Sequence, residues 1–383
     1  MYKMSESIKD IVIVGGGPAG AYLGYLLAKK GLHPIIFDHS YPREKPCGGG
    51  ISVLAIEKFQ LLHEIPSPKT SGNKFELLSP YGTSIMISGK KNSWGFSRAE
   101  MDSFLLDKAI TQGCVLVEEQ VINVKSKNNL WIVETKHRTY QTKLIIGADG
   151  VNSIVRKKIL GPISRENIGV CYGCFATSKN KIEIPLIKYY EDKEGYAWCF
   201  PRHDHLSIGV GMGYGSSQNI KEIFNNFISD YFPDVEITSK WGAKIPQISD
   251  KGFYDLPCAG ENWILIGDAA GHVDPVSGEG ITYALWSAEL AAQAIVQGAP
   301  QIFDKLWRQE YGRILYESCA SKDLFYNKHI LEITFKIASK SKTLSTLFQE
   351  MLTNQIHAEV FVKKLILKMP TILKEYLFSN ITR

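Results

Sequence analysis

Gly15, Gly17 and Gly20, spaced G-x-G-x-x-G within Gly15-Gly16-Gly17-Pro18-Ala19-Gly20, are the residues whose spacing most directly implies chemistry. The first glycine of such a run makes a tight turn, the second lets backbone N–H groups approach a pyrophosphate, and the third brings a helix close to its sheet. The flanks supply the rest of the unit. Asp10–Val14 reads as a buried strand, an Ala/Leu-rich helix runs to Lys30 and is closed by Gly31, and a second strand, Pro34–Phe37, ends in Asp38. An acid there is placed to accept hydrogen bonds from ribose hydroxyls. A glycine triplet alone is common, but strand, turn, helix, strand and acid in this order predict a bound dinucleotide.

Two further acids stand at the ends of short apolar strands: Asp149 after Leu144–Ala148, and Asp268 after Trp263–Ile266. A carboxylate held there can fix a ligand hydroxyl. Ser277-Gly278-Glu279-Gly280-Ile281 opens a helix whose apolar positions 281, 284, 285, 288, 291, 292 and 295 form one stripe. Its first N–H groups, at Gly280 and Ile281, are predicted to face the negative part of a ligand. Tyr196, Trp198 and Phe200 alternate and so share one strand face, an apolar slot in outline. Cys47 precedes Gly48-Gly49-Gly50, where a backbone without side chains can pass close to a flat ring. Its thiol can donate a proton, although small packed cysteines are the more frequent case. His272, close after Asp268, is a second candidate proton donor. Cys171 and Cys174 form a lone C-x-x-C on a predicted strand, Ile168–Thr177, where they point to opposite faces, so no metal site is expected. Gly209-x-Gly211-x-Gly213 lacks a following helix and acid and reads as a strand with a glycine-rich turn; His203 and His205 read as turn residues.

Asp149-Gly150 with Val151–Arg156, and Gly267-Asp268, resemble the aromatic-hydroxylase-like flavoproteins. That resemblance implies FAD, with Asp268 on its ribityl hydroxyls, Arg98 near its pyrophosphate, and the Val121 backbone at its adenine. Lys45-Pro46-Cys47-Gly48-Gly49-Gly50, Tyr196-Ala197-Trp198-Cys199-Phe200-Pro201, and Gly267 to Gly280 resemble the K-x-C-G-G-G, Y-x-W-x-F-P and third segments of the geranylgeranyl reductases, and the likeness spans nearly the whole chain. Asp274 stands where many members have Asn, and Asp192-Lys193 where a proline is usual. The resemblance implies a reductase that saturates C=C bonds of geranylgeranyl or polyprenyl chains, with Cys47, Gly48 and Gly50 beside the flavin and Tyr196, Trp198 and Phe200 against the prenyl substrate. Reducing equivalents would come from NAD(P)H or a ferredoxin. Two alternatives stay open: an FAD-dependent monooxygenase or halogenase of the same superfamily, and a non-enzymatic prenyl-lipid binder, against which the intact glycine turn, Asp38 and Asp268 speak.

The elements that must position these residues predict an α/β fold: a Rossmann-like FAD-binding domain (1–70, 94–160 and 258–300) interleaved with an antiparallel β-sheet substrate domain (71–93 and 161–257), then a C-terminal helical region (301–383). Arg98 leads a helix, Ala99–Ile110, with Leu105 and Ala109 inward; Ile220–Phe232 is a second helix, and Pro370 is read as the last helix break. With 383 residues, 44% hydrophobic and 22% charged, the chain has material for a large core and no disorder signature. The net charge of +5 resides in Lys322–Arg383, with ten Lys/Arg against five Asp/Glu; a solvated helix face is the first reading, an anionic membrane surface or acidic lipid headgroup the second, and nucleic acid is disfavoured because no recognition module is present. Seven irregularly spaced cysteines indicate no disulfide framework, and no secretory or membrane-spanning segment is evident, so the protein is expected to be cytoplasmic, with at most peripheral membrane contact.

Overall fold

The computed structural model describes residues 3–4, 8–66, 69–353, 355–356 and 358–379, so the end of the basic tail, 380–383, lies outside the described residues. Strand Lys9–Val14 carries four consecutive buried apolar residues, as a strand covered on both faces requires. It is central in an eight-stranded sheet, flanked in parallel by Ile35–Phe37 on one side and Arg138–Gly147 on the other. Val115–Val117 and Trp263–Leu265 extend the parallel part, and Leu130–Thr135 and Val121–Lys127 add an antiparallel edge. Asp38, Ala148-Asp149 and Asp268 therefore all emerge at the carboxyl ends of neighbouring parallel strands, where ligands of doubly wound sheets gather. Helix Pro18–Ala28 packs between helices Arg98–Thr111 and Ile281–Val296, and small residues make that approach possible. A Cβ on Gly20 would come 1.9 Å from the Gly15 carbonyl oxygen, and one on Gly24 would come 2.7 Å from Ile36 Cδ1.

The second sheet also has eight strands, in the order Glu236–Pro246, Ile168–Thr177, Leu206–Gly213, Gly195–Pro201, Leu186–Tyr189, Thr70–Leu78, Ser84–Gly95 and Gly50–Ile51. It departs from the expected antiparallel sheet at one pairing: Leu186–Tyr189 runs parallel to Thr70–Leu78. The chain between these strands passes through the first sheet, and only such a long connection lets two strands meet in parallel. Gly50–Ile51 pairs with Trp94 and Gly95, so the Cys47–Gly50 run lies on the seam where the chain steps from one sheet to the other.

One face of this sheet packs on helix Ile220–Tyr231 through Phe224 and Phe227. Another part packs on the C-terminal helices Lys328–Ala338, Lys342–Leu352 and Ala358–Phe378, with Leu77, Ile87 and Tyr189 meeting Phe335, Leu347, Phe348 and Ile372. The last helix runs through Pro370, contrary to the predicted break there. Pro370 is on the exposed side, where the carbonyl freed four residues earlier, on exposed Ile366, reaches water. Among the described residues no helix is long and apolar enough to cross a membrane.

Candidate active site

A single cavity of about 680 Å³ runs between the two sheets. Gly15, Gly17, Ala19, Asp38, Arg98 and Val121 line one end; Cys47, Gly48, Gly50, Asp149, Asp268, Gly280 and Ile281 line its middle; Tyr196, Trp198 and Phe200 line the roof. Of the residues expected to bind cofactor or substrate, Gly20 alone is away from it, buried beneath the turn it packs against.

At the nucleotide end, Gly15 has φ +103° and a Cβ there would lie 2.3 Å from the Ala148 carbonyl oxygen, so only glycine fits. Gly17, by contrast, lines the cavity, and a Cβ there would meet no described atom within 4 Å. It caps helix Pro18–Ala28 without any side-chain hydrogen bond, so the first N–H groups of that helix remain available to an anion. Asp38 accepts from the Gly16 N–H at 2.9 Å and from both the N–H and hydroxyl of Ser40. Burial opposes ionisation of Asp38, but these bonds and the charge of Arg43 outweigh it and hold its pKa below the usual value.

Asp268 is half-buried and lines the cavity, and its carboxylate accepts no hydrogen bond from any described residue. A carboxylate facing a cavity without a protein partner is an acceptor suited to ligand hydroxyls. Together with the open glycine turn and the uncapped helix, it is a donor and acceptor set that fits the phosphates and polyol of a flavin dinucleotide. The other predicted acid behaves differently. Asp149 accepts from Ser153 Oγ at 2.5 Å and from the Ile154 N–H at 2.7 Å, so it caps helix Ile154–Ile159 while bordering the cavity.

Arg98 is almost wholly buried and paired bidentately with Asp102 at 2.8 and 2.6 Å. The neighbouring Cys47 thiol accepts from the Gly49 N–H at 3.2 Å. Below this loop lies Arg202, which the sequence reading missed. Its guanidinium occupies the space a Gly49 Cβ would need, at 2.2 Å, and donates to the Cys47 carbonyl at 2.9 Å. Its Nε and Nη1 have no hydrogen-bond partner, and burial lowers its pKa. Glu44 approaches it at 3.7 Å while capping the Arg98 helix through the Arg98 and Ala99 N–H groups. The glycines thus have a nearer cause than the one expected: a Cβ on Gly48 would meet the Phe200 ring at 2.7 Å. The loop is laid directly on Phe200 and Arg202.

In the roof, Tyr196, Trp198 and Phe200 follow one another with ring centroids 6.0 and 6.4 Å apart, and Trp241 stacks on Trp198 at 6.1 Å. Gly209 gives Trp198 its seat, since a Cβ there would lie 2.5 Å from the indole. Tyr196 donates its hydroxyl to the Ser277 carbonyl, which ties the roof to the 277–280 loop. Beyond Tyr196 the cavity continues between the sheet and the C-terminal helices past Tyr189, Phe325, Met351, Leu352 and Ile356, an apolar extension that sequence periodicity marks only as helix core.

At the start of helix Ile281–Val296 the Glu279 carboxyl accepts from the N–H and hydroxyl of Thr282 at 3.0 and 2.9 Å, while Gly280 caps the helix without a side-chain hydrogen bond. Burial, reinforced by the nearby charge of Asp274, raises the Glu279 pKa against those bonds. The expectation of His272 as a proton donor is corrected: it does not reach the cavity. It is fully buried, accepts from or donates to Tyr311 Oη at 2.9 Å, and burial together with Arg156 and Arg308 lowers its pKa to about 3, so it is a neutral core residue. Cys171 does face the cavity, whereas Cys174 is turned into the core on the other side, as their spacing on a strand requires.

No protein-family model matches the chain. Curated relatives do: a chloroplastic geranylgeranyl diphosphate reductase of Oryza sativa subsp. japonica is 28% identical, covering 89% of this chain and 77% of its own. A digeranylgeranylglycerophospholipid reductase of Methanococcus vannielii is 25% identical, covering 97% and 98%. The chain is a homologue of the geranylgeranyl reductases. Its fold is shared with solved structures of a geranylgeranyl bacteriochlorophyll reductase-like protein of Thermoplasma acidophilum (TM-score 0.77, 20% identity, 97% of this chain and 99% of that one) and of a flavin-dependent brominase (TM-score 0.71, 19% identity, 94% and 99%). The α/β architecture with C-terminal helices is therefore that of this flavoprotein fold.

Proposed function

We propose that this chain is an FAD-dependent reductase that saturates C=C bonds in the geranylgeranyl or polyprenyl chain of a lipid. The observation that carries this reading is the continuity of one cavity from a glycine turn and a partnerless Asp268 to an aromatic roof and an apolar extension. FAD supplies hydride transfer to an alkene carbon when it is bound and reduced.

The chain's own residues do the rest. The 15–20 turn and the Pro18–Ala28 helix start would hold the pyrophosphate, Asp38 and Val121 border the adenosine end, and Asp268 would take the ribityl hydroxyls. Arg98 stands near that pyrophosphate with its fork fixed by Asp102. Tyr196, Trp198 and Phe200 orient the prenyl chain and exclude water from it. Cys47 holds a proton at Sγ, at the seam where Gly48 and Gly50 leave the backbone bare, and is the candidate donor to the second alkene carbon. Gly280 and Ile281 border the ring end, with Glu279 beside them on the Thr282 N–H.

Electrons come from outside the chain, from NAD(P)H or a ferredoxin. This is supported by the packing of the second glycine series, whose Gly209 is taken up by seating Trp198. The domain division follows the same logic, with residues 1–70, 94–160 and 258–300 holding FAD, 71–93 and 161–257 the substrate, and 301–383 closing the channel. The test is anaerobic turnover of chemically reduced protein with geranylgeranyl lipids, analysed by mass. Products heavier by pairs of hydrogens are expected; an oxygenated or halogenated product formed only in air would contradict the reading.

A further inference from the structure

The last helix, Ala358–Phe378, packs on the core through Phe361, Leu365 and Ile372. Its opposite side is also apolar. Val362, Ile366, Met369, Leu373 and Leu377 recur every three or four residues, form one stripe, and are each between 38% and 67% exposed. At helical spacing Lys363 and Lys374 run along one edge of that stripe, with exposed Leu367 and Phe378 beyond them. The helix carries four lysines against two glutamates, and Glu375 is turned inward onto Ser341 and Thr343.

We infer that this helix is a docking surface for an anionic lipid bilayer, lying in the plane of the interface with its stripe among the acyl chains and its lysines at the headgroups. The inference rests on the prenyl-lipid reading above, since a substrate of that class resides in such a bilayer. Charge complementarity selects the lipid surface, because an exposed apolar stripe edged by lysines matches acidic headgroups over acyl chains. Continuity with the cavity supports the same occupant. Met351 and Leu352 at the end of helix Lys342–Leu352, with Thr353 and Ile356 after it, line the apolar end of the cavity, so that end lies next in the chain to the docking helix. The helix does not span: it is interrupted by charges and lies across the protein's surface.

The test is flotation of the full-length, flavin-loaded protein with vesicles of phosphatidylcholine alone and of phosphatidylcholine with phosphatidylglycerol. Ile366→Glu/Leu373→Glu and Lys363→Glu/Lys374→Glu are compared with wild type, with detergent-dispersed geranylgeranyl lipid turned over in parallel. Wild type is expected to float with the anionic vesicles and to be released by salt. Both double variants should lose at least about tenfold of that partitioning while keeping their thermal midpoint and their turnover in detergent. No flotation of wild type, or equal flotation of all three proteins, overturns the docking surface, and so does a solution dimer that the Ile366→Glu/Leu373→Glu change dissociates. Turnover in detergent reports separately on the reductase reading, so a failure of one is not mistaken for a failure of the other.

Discussion

Asp268 and His272 sit four residues apart in one loop and have opposite environments: the first faces the cavity without a partner, and the second is sealed in the core. Removing the Asp268 carboxylate should cost the charge-assisted bonds it offers a polyol, roughly 1.5–3 kcal/mol, or about 10- to 150-fold in flavin affinity. Titration of Asp268→Ala apoprotein with FAD checks this; unchanged affinity would remove Asp268 from the cofactor site. His272 predicts a pH effect. Its folded pKa of about 3 lies below the ordinary value of 6.5, so the unfolded chain binds the extra proton across that window and stability is lost as pH falls from 6.5 towards 3. Urea midpoints of His272→Gln should show a flatter acid limb than wild type. The acids and glycines were legible from spacing because backbone geometry dictates them. The sealing of His272 was not, since Tyr311 and Trp307 reach it from a helix far along the chain.

At the scale of elements, the glycine series on strand Leu206–Gly213 exists for its neighbour. Gly209→Ala would drive a methyl into the Trp198 indole, and overpacking of this kind costs about 1–3 kcal/mol. The thermal midpoint should fall and Trp198 should be displaced, lowering turnover; a variant with wild-type stability and rate would contradict the packing described. The glycine turn, its helix and its two strands could be read from sequence because they are local. Arg202 under the Cys47–Gly50 loop and the parallel pairing of Leu186–Tyr189 could not, because each depends on segments far apart in sequence. The alternation of Tyr196, Trp198 and Phe200 gave their common face, but the sequence carried no sign that the face continues towards Met351 and Ile356.

For the molecule as a whole, two sheets and a helical cap enclose one space, and its length should set the chain it accepts. Met351→Trp, at the apolar end, should depress turnover of geranylgeranyl substrates by at least about tenfold more than that of geranyl ones, because a large ring there shortens the channel without touching the flavin end. Equal loss for both lengths would place the prenyl chain elsewhere. The central claim, that prenyl chain and flavin meet in this cavity, is tested most directly by mixing anaerobically reduced protein with a geranylgeranyl lipid and following flavin absorbance. Reoxidation is predicted in the absence of oxygen, with one alkene reduced per flavin and with the rate strongly lowered by Trp198→Ala. A flavin that stays reduced until air is admitted would contradict the account.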